Sequence, residues 1–339
     1  MKALLSHAPG GPDSLTLERI DPPVPGPGEV VVRVVACGVN YPDLLLIQDR
    51  YQIRPPRPFA PGSEVAGSIA AVGPNVAGFA VGDRVMAICS WGGMSEQVLV
   101  PAALCVPVPA GMPLDVAAAF QLTYGTAHYA LVDSGQLRPG QTVLVLGAAG
   151  GVGLATVEIA KALGARVVAA VSGEEKAAVA REAGADDAVI YPRELDLGSA
   201  RDLAKRLRAA CGQGADVVID PVGGGYAEAA LRAILPGGRY VVVGFAAGIG
   251  AVPLNLVLFS HATIVGAPFG AVVAQDPASF RRTTRALLEL HAAGSVHPRI
   301  GARFPLEQGA QALAMLESRR ALGKIIVEIA DSDRPGTVG

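Results

Sequence analysis

Apolar residues fall in short runs whose rhythm changes near residue 141. Before that point, runs at 29–36, 65–72, 83–88 and 97–100 are rich in valine and separated by turns such as Gly73-Pro74-Asn75 and Val81-Gly82-Asp83. This pattern predicts short strands, with another starting in residues 1–7, and hence a β-rich region. A helix over 113–131 is predicted to leave it. From 141 onward, strands at 143–146, 166–171, 187–191, 215–220 and 239–244 alternate with helices at 154–163, 174–183, 199–210 and 226–234. Regular alternation of this kind predicts an α/β region built on a doubly wound parallel sheet. A helix over 281–293 and a strand within 323–329 are predicted to close the structure, followed by a polar tail at 331–339.

The most informative stretch is 143–153. A buried-strand pattern runs into Gly147-Ala148-Ala149-Gly150-Gly151-Val152-Gly153, then a helix that Gly164 closes, then a second strand. That is one βαβ unit, the minimum dinucleotide-binding element. Its turn, with Ala149, Gly150, Gly151, Val152 and Gly153, would aim backbone N–H groups and the positive helix end at a pyrophosphate. Gly150 would admit the phosphates closely and Gly153 would let helix and strand pack. Ala148 stands where the first glycine of G-x-G-x-x-G is usual.

The end of the second strand bears on which dinucleotide. Sites that prefer NAD place an acid there, whereas this strand ends in Ser172 and Gly173. Lys176 is positioned to meet a 2′-phosphate, and Tyr191 ends the next strand. Glu174 and Glu175 argue the other way, unless they are first-turn acids favoured by the helix dipole. NADPH is the expected cofactor. Asp220-Pro221-Val222-Gly223 ends a strand at the sheet's carboxyl edge, where ligands bind.

Composition narrows the setting. A chain of 339 residues suits two domains. A net charge of −2 without a basic cluster argues against a nucleic-acid partner. The apolar runs near 143–157 and 241–254 are too short for a membrane span, and the N-terminus lacks a signal-peptide core. Cys37, Cys89, Cys105 and Cys211 lie far apart without C-x-x-C, which points to reduced thiols and a cytoplasmic location.

Four motifs carry a resemblance over nearly the whole chain. They are Ala36-Cys37-Gly38-Val39-Asn40-Tyr41-Pro42-Asp43, Pro61-Gly62-Ser63-Glu64-Val65-Ala66-Gly67, Ala148-Ala149-Gly150-Gly151-Val152-Gly153, and Gly184-Ala185-Asp186-Asp187 before Tyr191. In order and spacing the chain resembles the zinc-independent, zeta-crystallin-like quinone oxidoreductases of the medium-chain dehydrogenase/reductase superfamily. The resemblance implies a GroES-like β domain (1–120, completed by 265–330) and a Rossmann domain (121–264), with the active site in the cleft between them. It also implies a homodimer joined at the edge of the Rossmann sheet. The apolar stretch 240–264 fits that use, and a buried strand explains it equally well.

Zinc-dependent members of the superfamily hold their metal through Cys and His at two of these motifs. Here Asn40 and Ser63 stand at those places, and both are poor zinc ligands. The resemblance therefore implies an acceptor that takes a hydride without a Lewis acid, a quinone or an activated alkene. It implies Asn40, Tyr51 and Thr123 as the catalytic residues, with Asn40 and Thr123 also touching the cofactor. Ser172, Lys176 and Tyr191 would bind the adenosine phosphate, and Asp220, Val222, Gly244 and Phe245 would frame the nicotinamide. Each has a plainer reading: Thr123 as a turn cap, Asn40 as a β-turn residue, Phe245 as core. An alkenal, enone or enoyl-thioester reductase, with Tyr51 as proton donor, is the second reading. A non-catalytic NADPH-binding protein is the third.

Overall fold

The computed structural model describes residues 1–195 and 197–329, so the expected tail at 331–339 lies outside the described residues. In chain order its elements begin β1 (Lys2–Leu5), β2 (Thr16–Arg19), β3 (Glu29–Val39), α1 (Tyr41–Ile47), β4 (Glu64–Val72), β5 (Arg84–Ile88), β6 (Gln97–Pro101), β7 (Cys105–Pro107), α2 (Leu114–Ala117) and α3 (Gln121–Tyr129). They continue with β8 (Thr142–Leu146), α4 (Gly151–Ala162), β9 (Arg166–Val171), α5 (Glu174–Glu182), β10 (Asp187–Ile190), α6 (Leu197–Ala210), β11 (Ala215–Asp220), α7 (Tyr226–Arg232), β12 (Ile234–Val242) and α8 (Leu254–Ser260). The last are β13 (Thr263–Gly266), α9 (Phe269–Gln275), α10 (Pro277–Ala292), β14 (Ile300–Pro305), α11 (Gly309–Glu317) and β15 (Lys324–Glu328).

The chain divides into two compact units, Met1–Leu122 with Pro298–Gly339, and Thr123–His297. The chain returns to the first unit at Pro298, later than the residue 265 read from the sequence. The segment in between forms α9 and α10, which pack on each other within the second unit.

In the first unit the sheet order is β14-β15-β3-β4-β5-β7, with β6 also paired to β3. All pairings are antiparallel except β14 with β15. Val30, Val32, Val34, Val65, Ile69, Val85, Ile325 and Val327 form its core. The long β3 is buried along most of its length, Val31 as well as Val30 and Val32, with Arg33 its one exposed residue.

The second unit carries six parallel strands in the order β10-β9-β8-β11-β12-β13. Numbered from β8 this is 3-2-1-4-5-6, so the strand order reverses between β8 and β11. Its central strands are near-continuous apolar runs, Val143 to Leu146 and Val167 to Val171, all at most 1% exposed. That is the pattern of strands covered on both faces.

Several elements depart from the sequence reading. The helix expected over 113–131 is broken into α2 and α3, followed by a π-helical turn over Ala130–Ser134. The break has a partner that helical periodicity does not reveal. Glu64 Oε2 accepts the N–H of Leu122 at 2.5 Å, supplying the acceptor a new helix start needs. The helix expected from 154 begins at Gly151, and the strand expected to reach 244 ends at Val242. The stretch 240–264 is no buried strand: it holds the end of β12, a loop, α8 and the start of the sheet-edge strand β13, where Thr263 and Ile264 are exposed.

Candidate functional site

At the switch point, β8 delivers its chain into Gly147, whose φ of +60° favours glycine. A Cβ there would also meet Val222 Cγ2 at 2.8 Å, so the turn after β8 lies against the turn after β11. Gly150 is the N-cap of α4 and provides no capping side chain. The first N–H groups of such a helix, here those of Gly151, Val152 and Gly153, are the groups that could hold an anion by geometry and dipole. A Cβ on Gly150 would find its nearest neighbour 3.5 Å away, so the space before it is open. Around Gly153 there is none: a Cβ would stand 2.2 Å from Gly147 O. Ala148 and Ala149 are buried beneath the turn.

Asp220, at the end of β11, is 2% exposed. Its Oδ1 accepts the N–H groups of Val222 and Gly223 at 2.7 and 2.8 Å, and its Oδ2 accepts the Tyr240 hydroxyl at 2.5 Å. Burial raises its pKa, opposed by these three donors. The structure thus assigns Asp220 the work of shaping the Pro221–Gly223 turn. Gly244 and Phe245 lie in the loop after β12, where Gly244 N–H reaches Asp220 O at 3.2 Å. Phe245 is 45% exposed, which rules out the core reading.

Ser172, Lys176 and Tyr191 come together at the ends of β9 and β10. Lys176 Nζ donates to Ser172 Oγ at 3.1 Å. Tyr191 is mostly buried, its ring centroid 4.7 Å from that of Tyr226. A groove of about 660 Å³ is lined there by Ser172, Glu174, Tyr191, Arg193, Ser199 and Arg206. Glu174, the acid weighed against a phosphate, is on its wall. Arg193 and Arg206 add two cations that the sequence reading missed; Arg206 is held by Ile190 O at 2.8 Å. They sit in loop and helix positions without a motif, so only the fold brings them to the groove.

In the first unit, Asn40 follows β3 directly and is the N-cap of α1. Around it lies a polar cluster in an apolar setting. Lys324 and Glu64 are 4% and 1% exposed, and form an ion pair at 3.1 Å. Lys324 Nζ also donates to Asn40 Oδ1 at 2.7 Å and to Val39 O at 3.1 Å. Asn40 Nδ2 lies 3.1 Å from Gly38 O and 3.4 Å from Glu64 Oε1. Asp43, fully buried, accepts from Asn40 N at 2.7 Å and from Ser63 Oγ at 2.8 Å. Burial lifts the Asp43 carboxyl to about 6, against the opposing pull of those two donors and of Lys324. Tyr51 is half-buried, and burial together with the charge of Asp43 raises its hydroxyl above the ordinary value.

This donor set does not fit a zinc ion. Asn40 turns its oxygen to an ammonium, and Ser63 gives its hydroxyl proton to Asp43. Zinc of this fold type asks for thiolate and imidazole nitrogen at such places. The nearby thiol of Cys37 is fully buried, and burial raises its pKa well above the ordinary value. Burial likewise raises Cys89 and lifts Cys105 and Cys211 to about 12. Thr123 is 2% exposed inside α3, not at a turn. Lys324 was legible only as a charge heading the apolar run Ile325-Ile326-Val327; nothing in the sequence pairs it with Asn40.

Two families match the chain: the Alcohol dehydrogenase GroES-like domain over residues 26–110, and Zinc-binding dehydrogenase over residues 151–290. The chain is 37% identical over 317 residues to Quinone oxidoreductase-like protein 2 of Mus musculus, covering 93% of this chain and 89% of that one. Its structure is similar to that of mycobacterial Rv1454c complexed with NADPH, with a TM-score of 0.90 and 31% identity, covering 97% of this chain and 100% of that chain. It is also similar to Escherichia coli quinone oxidoreductase complexed with NADPH, with a TM-score of 0.88 and 28% identity over 97% and 100% of the two chains. The chain belongs to the quinone oxidoreductase-like oxidoreductases of the medium-chain dehydrogenase/reductase superfamily.

Proposed function

We propose that the protein is an NADPH-dependent reductase that passes a hydride to a quinone without a metal. The observation that carries this reading is the commitment of Asn40 and Ser63 to Lys324 and Asp43, which suits an acceptor that needs no Lewis acid. NADPH, when bound, supplies the hydride. The turn 147–153 would hold its pyrophosphate, with Val222, Gly244 and Phe245 framing the nicotinamide and Asp220 shaping that frame. The groove of Ser172, Tyr191, Arg193 and Arg206, with Lys176 bonded to Ser172, would take the 2′-phosphate, and the two similar NADPH complexes support that choice. Asn40, Tyr51 and Thr123 would position the acceptor and exclude water, so that rate comes from placement. The reduced quinone oxygen can take its proton from water.

A 2-alkenal or enone reductase is the second reading. It is favoured by Tyr51, whose raised pKa keeps a proton available for the carbon or oxygen that receives it. Purified protein with NADPH or NADH against p-benzoquinone, phenanthrenequinone and 2-alkenals separates the readings. Turnover of alkenals but not quinones would replace the first by the second. NADPH binding without turnover on any acceptor would favour a non-catalytic binding protein.

The same reading includes a homodimer and a cytoplasmic location. Leu254, Leu258 and Phe259 of α8 are 70–78% exposed beside the edge strand β13, a face that suits a second copy. The four cysteines are unpaired, in keeping with a reducing compartment. Among the described residues no helix is long and apolar enough to cross a membrane.

A further inference from the structure

The second unit holds a cavity of about 320 Å³ whose wall includes Gln136, Arg138, Gln141, Asp216, Gly237 and Arg239. These residues come from the segment leading into β8, from the start of β11 and from the first part of β12. Sheets of this kind take their cofactor at the carboxyl ends of the strands. The cavity lies towards the amino ends and shares no residue with the groove of Ser172 and Tyr191.

Irregular backbone opens it. The π-helical turn over Ala130–Ser134 closes with Gly135 N–H on Ala130 O at 2.8 Å, and the chain then passes through Gln136 at φ +49°. Residues other than glycine seldom adopt that left-handed conformation. From it the Gln136 amide meets Arg239, whose Nη2 donates to Gln136 Oε1 at 2.8 Å. Across the sheet, Ala215 and Val217 of β11 face Ile234 and Arg239 of β12. Residues 235–238 therefore stand opposite Asp216 alone and bow out of the ladder, with Gly237 at φ +82°.

The wall is rich in donors. The exposed Arg138 guanidinium has no hydrogen-bond or ion-pair partner among the described residues. Arg239 commits one N–H to Gln136 and one to Ser134 O at 3.3 Å, which leaves the rest of its fork for a ligand. Because the Gln136 oxygen is turned to a guanidinium, the end left over is its N–H donor group. Asp216 is the acid on the wall: Oδ2 accepts Thr142 N–H at 2.8 Å, while Oδ1 has the longer contact of 3.4 Å to Gln141 Nε2. Two guanidiniums against one carboxylate leave one positive charge in excess. A single negative charge balances it. A phosphate carries more than that and would face Asp216, and a zwitterion would leave the excess standing.

We propose that this cavity binds a small hydroxycarboxylate, its carboxylate held by Arg138, Arg239 and the Gln136 N–H group and its hydroxyl donating to Asp216 Oδ1. Guanidinium forks match the planar carboxylate. The site needs neither NADPH nor a hydride acceptor.

The test is a titration of the protein with sodium L-lactate at constant ionic strength, followed on the arginine side-chain N–H signals by NMR. Arg138→Gln and Arg239→Lys assign the two signals, and thermal unfolding checks each variant. Both signals should shift saturably with a Kd on the order of 1 mM. Arg138→Gln should weaken binding at least about tenfold, measured on the Arg239 signal. Gln136→Gly keeps the left-handed backbone, removes the amide and should weaken binding about threefold or more. Arg193→Ala, in the other groove, should leave it unchanged. Propionate, which lacks the hydroxyl, and inorganic phosphate should each bind at least about fivefold more weakly. No saturation by about 50 mM lactate, unchanged affinity in Arg138→Gln or Gln136→Gly, an equal loss in Arg193→Ala, or propionate or phosphate binding as tightly as lactate would overturn the proposal.

Discussion

Gly153 lies so close to Gly147 that a Cβ on Gly153 would stand 2.2 Å from the Gly147 carbonyl oxygen and 2.7 Å from Ala148 Cα. Both obstacles are backbone, so they cannot swing aside. Gly153→Ala should destabilise the protein by about 1–3 kcal/mol. Gly150→Ala, with open space before it, should change stability by less than about 0.5 kcal/mol yet weaken NADPH binding by obstructing the phosphates. Urea unfolding and a fluorescence titration of NADPH, run on both variants, would show whether the two glycines divide the work this way.

Ser172 and Arg193 line the groove beyond the second strand, and Lys176 is bonded to Ser172 at its edge. A charge-assisted hydrogen bond to a phosphate contributes about 1.5–3 kcal/mol. Lys176→Ala or Arg193→Ala should therefore raise KM for NADPH at least about tenfold and leave KM for NADH unchanged. Faster wild-type turnover with NADH than with NADPH would sink the cofactor assignment.

Asp43 titrates at about 6 when folded, against an ordinary value of 3.8. Between these values the native state binds more protons than the unfolded chain. Stability should thus fall as pH rises from roughly 4 to 6 and level off above, by a contribution on the order of 3 kcal/mol. Asp43→Asn should flatten that slope in urea unfolding measured across pH. Ser63→Ala removes a donor to the ionised carboxylate and should move its NMR titration midpoint further up.

Tyr240 donates its hydroxyl proton to the buried Asp220 Oδ2. Tyr240→Phe keeps the ring and leaves that oxygen unsatisfied, which should cost about 1–3 kcal/mol in unfolding free energy. Because Asp220 also holds the N–H groups of Val222 and Gly223, NADPH affinity should drop in the same variant.

Phe259 is 77% exposed on α8 beside the sheet edge. Phe259→Glu should yield a monomer by light scattering if that face joins two copies. A wild-type monomer at micromolar concentration would remove the homodimer from the proposal.

The alternation of strands and helices after residue 141 was legible because parallel strands covered on both faces read as unbroken apolar runs between helices. Gly147 and Gly153 were legible because a positive φ at the first and backbone contact at the second admit little else, and Gly150 because its place in the glycine pattern marks the open N-terminus of the helix. The helix over 113–131 misled because Ala117, Ala118 and Ala119 suit a helix locally, while the break depends on Glu64, far away in sequence. The polar cluster under Asn40 escaped for the same reason: Lys324 is 284 residues away and arrives through strand register alone. Arg193 and Arg206 carry no periodic signal, since their place in the groove follows from how α6 packs beside β10.

The four unpaired thiols have a bearing on chemical survival. Quinones and 2-alkenals are soft electrophiles that arylate or alkylate cysteine, and the attacking species is the thiolate. Burial raises the pKa of Cys37, Cys89, Cys105 and Cys211, so the neutral, poorly nucleophilic form prevails in each. A protein handling such compounds in the proposed role would resist covalent inactivation by its own substrates, and intact-mass spectrometry after incubation with excess p-benzoquinone should find the folded chain largely unadducted and the urea-unfolded chain modified at its cysteines.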